Sequence, residues 1–352
     1  MQTRIYDFHG IVRLKIVSSQ KQYISFFDNE YRYIKKIDNK DDAPVNILIY
    51  IGFPLPRVSD GKPGEYYSVK FKNLCKVKYR IDGIDKIQTT IYFCGDWTIH
   101  FYSFIMCSFL LNEIIDPLLY LKFIQKNCII LHSACLSDGE KGFLFAADSG
   151  GGKTTLALKL AKNGMIFLND DKTIVSKEGV LYAYPRSLRL YTYNIKIPPC
   201  NSLSWKIKII CHIKDILRSI FSKVLKTDIY LATRVHINEI IPDVKTGRSY
   251  KLGKFLLLTN GTEEQIKRFD YLNSTDKDLM AKYDEKISIL CELNGKLRNN
   301  ILKKHKDLMR VIESKEREIL TNITEKMGSI YSINPRLIKE DNNLSLRQAL
   351  KI

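Results

Sequence analysis

The first hundred residues of the chain alternate apolar and polar positions with a period close to two. A period of two places neighbouring side chains on opposite faces of an extended backbone, so it predicts β-strands. Turn-rich stretches such as "RIDGID" separate the alternating segments, which cover residues 11–17, 46–53, 66–71 and 86–93. We therefore expect a mostly antiparallel β region over residues 1–101, and it carries no chemical motif of its own.

The periodicity changes near residue 103, where apolar residues recur at helical spacing. Residues 103–127 predict two helices, with Pro117 near the start of the second, because proline is tolerated in a first helical turn. Beyond them the chain alternates short apolar runs with turn signals. The elements predicted there are strands over residues 128–136, 143–147 and 165–168, a helix over residues 154–162 and a hairpin over residues 172–184.

The pattern weakens in the last third of the chain, where charged residues dominate. Residues 254–258 predict a strand that is followed by a turn and a helix, and residues 276–333 look helical throughout. Residues 296–317 hold eight Lys or Arg against three Asp or Glu. Such a basic helical segment can bind nucleic acid or a membrane, although a solvated face is the commoner outcome. The fold class predicted is α+β or α/β, divided at residues 1–101, 102–272 and 273–352.

Charge narrows the choice of partners only slightly. The formal net charge is +18 and the pI is about 9.4, which favours anionic partners such as nucleic acid, an anionic membrane, an acidic peptide or phosphorylated metabolites. A solvated lysine-rich surface would give the same charge, so both interpretations stay open. Nucleic acid is disfavoured because no helix-turn-helix signature or aromatic-basic surface motif is present.

Cysteine spacing and apolar run lengths predict a cytoplasmic protein. The eight cysteines contain no CxxC pair, which argues against structural zinc and a disulfide framework and favours reduced thiols. The amino terminus, "MQTRIYDFHG", lacks the apolar core of a signal peptide. The most apolar stretch, residues 97–111, is shorter than the ~20 residues that span a bilayer, so we expect no transmembrane segment.

Residues 147–154, "ADSGGGKT", match the phosphate-binding pattern G-x-x-x-x-G-K-[ST] except that Ala147 replaces the first glycine. Glycines let the backbone approach a phosphate closely and turn its N–H groups inward, and the helix that follows presents its amino terminus to the anion. The alternative is a glycine-rich turn with an incidental Lys-Thr pair. The candidate nucleotide-binding residues are Asp148, Ser149, Gly150, Gly151, Gly152, Lys153, Thr154 and Thr155.

Within this loop, Lys153 and Thr154 have separate expected roles. The Lys153 ammonium supplies a mobile positive charge for the outer phosphates of a nucleotide. The Thr154 hydroxyl is an oxygen ligand of the kind that Mg²⁺ prefers. The loop thus predicts a bound nucleotide phosphate together with Mg²⁺.

Two carboxylates, Asp170 and Asp171, follow the predicted strand at residues 165–168. If that strand runs parallel to the one before the loop, through a right-handed crossover, both carboxylates reach the carboxyl edge of the sheet beside the phosphate site. One could then hold Mg²⁺ while the other accepts the proton of an attacking hydroxyl. Acidic residues at strand ends also start ordinary turns, and this alternative stays open. His132, on the preceding strand, taken alone is more typical of a structural histidine.

From Leu131 to Asp171 these residues resemble the core of the HPr kinase/phosphorylase family, which is akin to phosphoenolpyruvate carboxykinase. The shared order is a Leu-His pair, a turn, a strand, Ser-Gly-x-Gly-Lys-[Ser/Thr], one helix, Gly and a strand ending in Asp-Asp, and the similarity covers about residues 118–190. The resemblance implies a kinase core over residues 102–272. It also implies that His132 belongs to the active site.

The same resemblance implies roles for individual residues. Asp170 becomes the candidate base, and Asp171 together with Thr154 becomes the candidate metal set. Two neighbouring carboxylates can share a proton and exchange roles, so this division stays open. Arg186 and Arg189, in "YPRSLRLY", stand where family members place a basic segment near the substrate, although a surface β-edge would look the same.

The function implied is transfer of the γ-phosphoryl group of Mg-ATP to a hydroxyl, most simply of serine in a peptide or protein. The regions outside the core do not resemble true HPr kinase, so relatives that look like peptide-tailoring kinases or kinases of free serine and other small alcohols fit as well. The reverse reaction, phosphorolysis, uses the same groups. The resemblance to ring-shaped HPr kinases also implies a possible homo-oligomer.

Two other function classes remain open at this point. A nucleotide-dependent switch protein would use the loop to hold ATP or GTP and the basic carboxyl-terminal half to engage an acidic partner. A carboxykinase-like enzyme would need a further cluster of metal-binding His, Lys and Asp residues, which the sequence does not display.

Overall fold

The computed structural model shows a mixed α+β protein that packs as two compact units. It describes residues 1–38, 44–56, 64–71, 75–95, 103–147, 151–196, 198–225, 232–258, 267–269, 305–327 and 330–333. The first unit comprises Met1–Lys126, Lys206–Arg234 and Leu293–Ile312, and the second comprises Asn127–Trp205, Val235–Glu292 and Glu313–Ile352. The two units are defined by how the chain packs and not by what each part does. The division predicted at residues 101 and 272 therefore stays a prediction.

The described strands of the first unit form one mixed sheet. They are β1 (Gln2–Phe8), β2 (Val12–Ser18), β3 (Lys35–Ile37), β4 (Ile47–Ile51), β5 (Glu65–Phe71), β6 (Cys75–Asp82) and β7 (Thr89–Gly95), in the spatial order β3-β1-β2-β4-β7-β6-β5. Neighbours are antiparallel towards both edges, whereas the β2–β4 and β4–β7 pairs at the centre are parallel. The antiparallel majority expected from the sequence is confirmed, and the parallel centre is an addition to it.

The parallel β2–β4 pair depends on a helix that the period-two pattern did not predict. Parallel neighbours need a crossover connection, usually through a helix. Helix α1 (Lys21–Glu30) lies between β2 and β4 in the chain and buries Tyr23, Ile24 and Phe27, which are spaced to share one helical face. The helical spacing of these three apolar residues was the feature of the sequence that could have predicted α1.

The helical segment that begins at residue 103 is confirmed. Helix α2 (Ser103–Phe109) continues through a π-helical turn (Leu110–Ile115) into α3 (Asp116–Gln125), and Pro117 lies in the first turn of α3, directly after the π-helical turn. Every residue of α3 from Asp116 to Ile124 is buried. Residues 97–102, the first part of the most apolar stretch, lie outside the described residues.

The second unit is built on a larger mixed sheet. Its described strands are β8 (Cys128–Leu131), β9 (Ser133–Ser137), β10 (Lys141–Ala146), β11 (Ile166–Asn169), β12 (Thr173–Ser176), β13 (Val180–Tyr182), β16 (Ser249–Leu258), β17 (Lys267–Phe269) and β18 (Ile330–Ile333). The main order is β11-β9-β10-β16-β13-β12-β8, and β18 pairs with both β16 and β17. Helix α4 (Lys153–Lys162) connects β10 to β11, and the β12–β13 hairpin matches its prediction.

Two expectations about this sheet change. The single strand predicted over residues 128–136 is two strands, β8 and β9, which separate at His132 and pair with different neighbours. Strand β11 runs in the same direction as β10, as predicted, because each is antiparallel to β9. The two are not adjacent, since β9 lies between them.

The carboxyl-terminal half departs most from expectation. Residues 267–269 and 330–333, predicted as helix, are strands, because β17 and β18 extend the sheet beyond β16. The predicted helical character is confirmed for α7 (Lys306–Met327), while residues 276–304 lie outside the described residues. The remaining described elements are β14 (Leu188–Leu190), α5 (Trp205–Leu225), β15 (Thr233–Val235), α6 (Ile237–Ile240) and two short 3-10 helices at Asn194–Lys196 and Cys200–Ser202.

Across the part of the chain that the structure describes, no helix combines the length and apolar character needed to cross a membrane.

Candidate active site

The phosphate-binding candidate lies where β10 ends and α4 begins. Gly152 immediately precedes the helix with a φ of 87°, a left-handed conformation that residues with a Cβ rarely adopt. Helix α4 then starts at Lys153, one residue earlier than predicted, and its first N–H groups face away from the helix. Asp148, Ser149 and Gly150 lie outside the described residues. The described part of the loop therefore has the strand, left-handed glycine and helix expected of an anion site.

The two aspartates reach this site because two strand connections break at the same level of the sheet. Strands β8 and β9 part at His132, and β11 and β12 part at residues 170–172. The breaks lie opposite each other because Thr173 pairs with Leu131 and Asn169 pairs with Cys135. His132 and the Asp170–Asp171 pair are thus brought together by register, across about forty residues of sequence.

Three buried polar residues, Ser133, Asn169 and Thr173, form a hydrogen-bonded clamp beside the two strand breaks. The Thr173 hydroxyl accepts hydrogen bonds from Ser133 Oγ (2.9 Å) and Asn169 Nδ2 (2.6 Å) and donates to the Ser133 carbonyl (3.2 Å). Asn169 Nδ2 also donates to the carbonyl of Lys172 at 2.6 Å. A hydroxyl with one donor and two acceptor positions is fully used in this way. The clamp fixes the chain on both sides of the two carboxylates.

The two carboxylates have different neighbours. Thr154 Oγ1 donates to Asp170 Oδ2 at 3.1 Å, whereas Asp170 Oδ1 is buried with no hydrogen-bond partner among the described residues. Asp171 Oδ1 lies 2.9 Å from His132 Nε2, and about half of the Asp171 side-chain surface is exposed. Asp170 therefore faces the start of α4, and Asp171 faces the histidine and solvent.

These surroundings move the two pKa values in opposite directions. Burial and, after it, the adjacent negative charge of Asp171 raise the pKa of Asp170, which lies at about 7. The hydrogen bond from Thr154 and the positive charges of Lys153 and His132 only partly offset this rise.

Burial also acts to raise the pKa of Asp171. The hydrogen bond and charge of His132 oppose it, helped by the charges of Lys172 and Arg189, and together they hold the pKa well below its usual range. Two neighbouring carboxylates with pKa values driven apart are typical of a site in which each performs a different task.

The remaining predicted residues are placed as follows. The buried Lys153 ammonium donates to the carbonyl of Ala147, at the start of the loop. Arg189 lies in β14, close enough for its charge to act on Asp171. The Arg186 guanidinium lies over the Tyr184 ring, 5.9 Å from its centroid. Thr155 is exposed in the first turn of α4.

The donor set suits Mg²⁺ and a phosphate better than a transition metal. Among the described residues, no three His, Cys, Asp or Glu side chains gather as a metal site. What gathers instead is the Thr154 hydroxyl, the two carboxylates of Asp170 and Asp171, and the start of a helix. Hydroxyl and carboxylate oxygens are hard ligands, and a helix start attracts anions. Mg²⁺ characteristically uses one or two such protein oxygens and completes its shell with water and phosphate. The residues present therefore fit the implied cofactors.

Sequence reasoning missed the clamp formed by Ser133, Asn169 and Thr173. Each lies beside a residue of the motif, so its position was available. What the sequence could not supply was the register that brings residues 133 and 173 into contact.

Comparison with protein-family models finds none that matches the chain, and comparison with curated proteins finds no match either.

Proposed function

We propose that this protein is a Mg-ATP-dependent kinase that transfers the γ-phosphoryl group to a hydroxyl, most simply that of serine in a peptide or protein. The observation that carries the proposal is the pair of carboxylates with opposed pKa shifts, held beside a glycine-led helix start that bears Lys153 and Thr154. Phosphoryl transfer needs little more than positioning, charge stabilisation and one proton acceptor.

Asp170 is the proposed proton acceptor. A pKa of about 7 suits a general base at neutral pH, because the group is partly ionised yet basic enough to take a proton. Its unpartnered oxygen Oδ1 is the atom to which the acceptor hydroxyl would donate. Asp171, held ionised by His132, keeps a negative charge next to Asp170 and thereby sustains that basicity.

Thr154 and Asp171 are the proposed protein oxygens for Mg²⁺, which when bound would neutralise charge on the phosphates. The backbone N–H groups from Gly151 onward and the Lys153 ammonium would orient the nucleotide and stabilise charge that develops on the transferred group. Arg189, whose charge already acts on Asp171, is the candidate for binding the phosphorylated side of the acceptor.

The direct test is mass spectrometry of acceptors incubated with protein, Mg²⁺ and ATP that carries heavy oxygen in its γ-phosphoryl group. The acceptors are a peptide pool from a cell extract, HPr and free serine. A labelled phosphorylated product that disappears in Asp170→Asn supports the kinase and identifies the acceptor class. Asp138→Asn, an exposed aspartate of the same unit, is the matched control and should keep full activity.

Two outcomes would count against the proposal in different ways. ATP binding without any labelled product, unchanged in the variant, would reject the kinase and leave a nucleotide-dependent switch. A product that survives in Asp170→Asn at a raised Mg²⁺ requirement would instead move Asp170 to the metal, next to Thr154, and make Asp171 the base.

A further inference from the structure

Helix α5 (Trp205–Leu225) presents its apolar side to solvent. Large apolar residues recur along it at steps of three and four, which places them on one face. We call this face the outer stripe; its members, with their exposed fractions, are Trp205 (67%), Ile209 (46%), Ile210 (44%), Ile213 (52%), Ile216 (61%), Leu217 (40%) and Ile220 (50%). At 21 residues and a rise of 1.5 Å per residue, the stripe follows a helix about 30 Å long.

The opposite face of α5 is polar and packs on the protein. Cys211 at its centre is 1% exposed, and its half-buried neighbours on that face are Ile207 and four charged residues, Lys208, Lys214, Asp215 and Arg218. Lys214 Nζ donates to the carbonyl of Ala232 at 3.5 Å, and Asp215 lies 3.5 Å from Arg218. An ordinary surface helix buries its apolar face and exposes its polar one. The arrangement in α5 is inverted.

Such an inverted helix needs a partner for its stripe. Contiguous exposed apolar surface on this scale marks an interaction site, because its burial elsewhere is favourable in proportion to the area removed from water. Isolated exposed residues such as Ile87 carry no such meaning, but seven on one helix face do.

The charges of α5 indicate what that partner is. The helix contains five Lys or Arg residues and a single acidic residue, Asp215, which lies on the inner face near Arg218. On the solvent side, the exposed Lys206 and Lys223 accompany the outer stripe without any carboxylate. The whole chain carries a net charge of +18, so two copies would repel each other while an anionic surface would attract either.

We propose that the outer stripe of α5 docks on an anionic lipid surface, with the helix lying in the plane of the membrane interface. Apolar side chains in the acyl boundary and lysines at the headgroup level are the two requirements for such interfacial binding, and α5 meets both on the same exposed side. The proposal is independent of the kinase assignment, because it uses no residue of the candidate active site.

Vesicle flotation tests the proposal with the full-length protein. Vesicles of phosphatidylcholine alone are compared with vesicles containing about 30% phosphatidylserine, at low and at high salt. The intact protein should float with the anionic vesicles, bind the neutral ones more weakly and detach as salt rises. Ile213→Gln/Ile216→Gln should lower the partition coefficient by about tenfold or more, because two partly buried isoleucines leave the bilayer.

The matched control replaces two equally exposed apolar residues elsewhere, Ile87→Gln/Val311→Gln. Both double variants alter solvent-facing positions, so equal unfolding temperatures confirm that neither is misfolded. A second readout is Trp205, one of only two tryptophans: its emission should shift to shorter wavelength on anionic vesicles, and the shift should vanish in Trp205→Phe.

Three outcomes would overturn the proposal. One is failure of the intact protein to float with anionic vesicles, and another is equal loss in both double variants. The third is a concentration-dependent dimer in sedimentation that only the stripe variant abolishes, without vesicle binding, which would assign the stripe to a second copy of the chain.

Discussion

Two acidic side chains, one in each unit, have opposite surroundings: Glu30 is fully buried, whereas Asp170 is half-buried with one buried carboxylate oxygen. In the first unit Glu30 is 1% exposed and forms an ion pair with Arg234, whose guanidinium also lies over the Phe26 ring at 5.0 Å. In the second unit Asp170 lies next to another carboxylate, and its Oδ1 lacks a hydrogen-bond partner among the described residues. The first charge has an ion-pair partner, whereas nearby positive charges compensate the second only in part.

The difference separates a structural charge from a chemical one. A buried charge costs free energy unless an opposite charge and hydrogen bonds compensate it, and folding alone gives no reason to keep an uncompensated one. Strongly shifted pKa values with a specific charge partner inside a cleft cluster at functional sites for this reason. The incompletely compensated charge of Asp170 is therefore an indication of function that the sequence motif alone does not provide.

The largest expected effect is on the rate of phosphoryl transfer, and it distinguishes two buried lysines, one in each unit. Lys153→Met should lower phosphoryl transfer by about a thousandfold, because it removes a preorganised charge from the nucleotide site. Lys122 of the first unit is also buried, and its ammonium donates to the carbonyls of Ile84 and Lys86. Lys122→Met should leave the rate per folded molecule within about twofold. Equal losses in the two variants, measured as steady-state rates, would contradict a catalytic role for Lys153.

Breaking the matched pair should cost stability rather than activity. Glu30→Gln leaves the half-buried guanidinium of Arg234 without its carboxylate, and we expect the free energy of unfolding to fall by about 3 kcal/mol. Urea denaturation measures this loss. The double variant Glu30→Gln/Arg234→Met should recover a large part of it, since it removes both charges together. A single variant as stable as the unchanged protein would mean that the pair contributes nothing.

Replacing Asp170 should raise the free energy of unfolding, whereas replacing Glu30 lowers it. The folded pKa of Asp170 is raised to about 7, so the folded state binds a proton more tightly than the unfolded state and loses stability as pH rises from about 4 to 7. A rise of about three pKa units corresponds to about 4 kcal/mol, and the partial exposure of Asp170 reduces this value. Asp170→Asn removes the cost and should stabilise the protein above pH 7 by roughly 2 kcal/mol, with the gain vanishing towards pH 4. Thermal unfolding across this pH range measures the difference, and a pH-independent gain would reject the assigned pKa shift.

The smallest effect concerns His132. Its hydrogen bond and charge hold the pKa of Asp171 down, so His132→Gln should raise that pKa towards the ordinary carboxyl range. Asp171 would still be ionised at neutral pH, and we expect phosphoryl transfer to fall there by only about threefold, with a larger loss below pH 5. The pH–rate profile measures this. A profile whose acidic limb does not move would show that His132 does not act through Asp171.

Much of the candidate site could be predicted from sequence because its signals are local. Glycines before Lys153 favour a left-handed turn into a helix, and the apolar run before Asn169 favours a strand that ends at the two aspartates. Both depend on residues within a few positions of one another, so periodicity and turn chemistry suffice to find them.

Long-range pairing could not be predicted in the same way. Composition and periodicity do not encode which strands become neighbours. Three features depend on this pairing: the break at His132, the strands β17 and β18, and the contact between Ser133 and Thr173. The helix α5 is the clearest case: its sequence determines that one face is apolar, and the usual expectation would turn that face inward. Only the tertiary structure decides that Cys211 and its polar neighbours face the protein while the outer stripe faces solvent, because burial belongs to the packing of the whole chain and not to the helix alone.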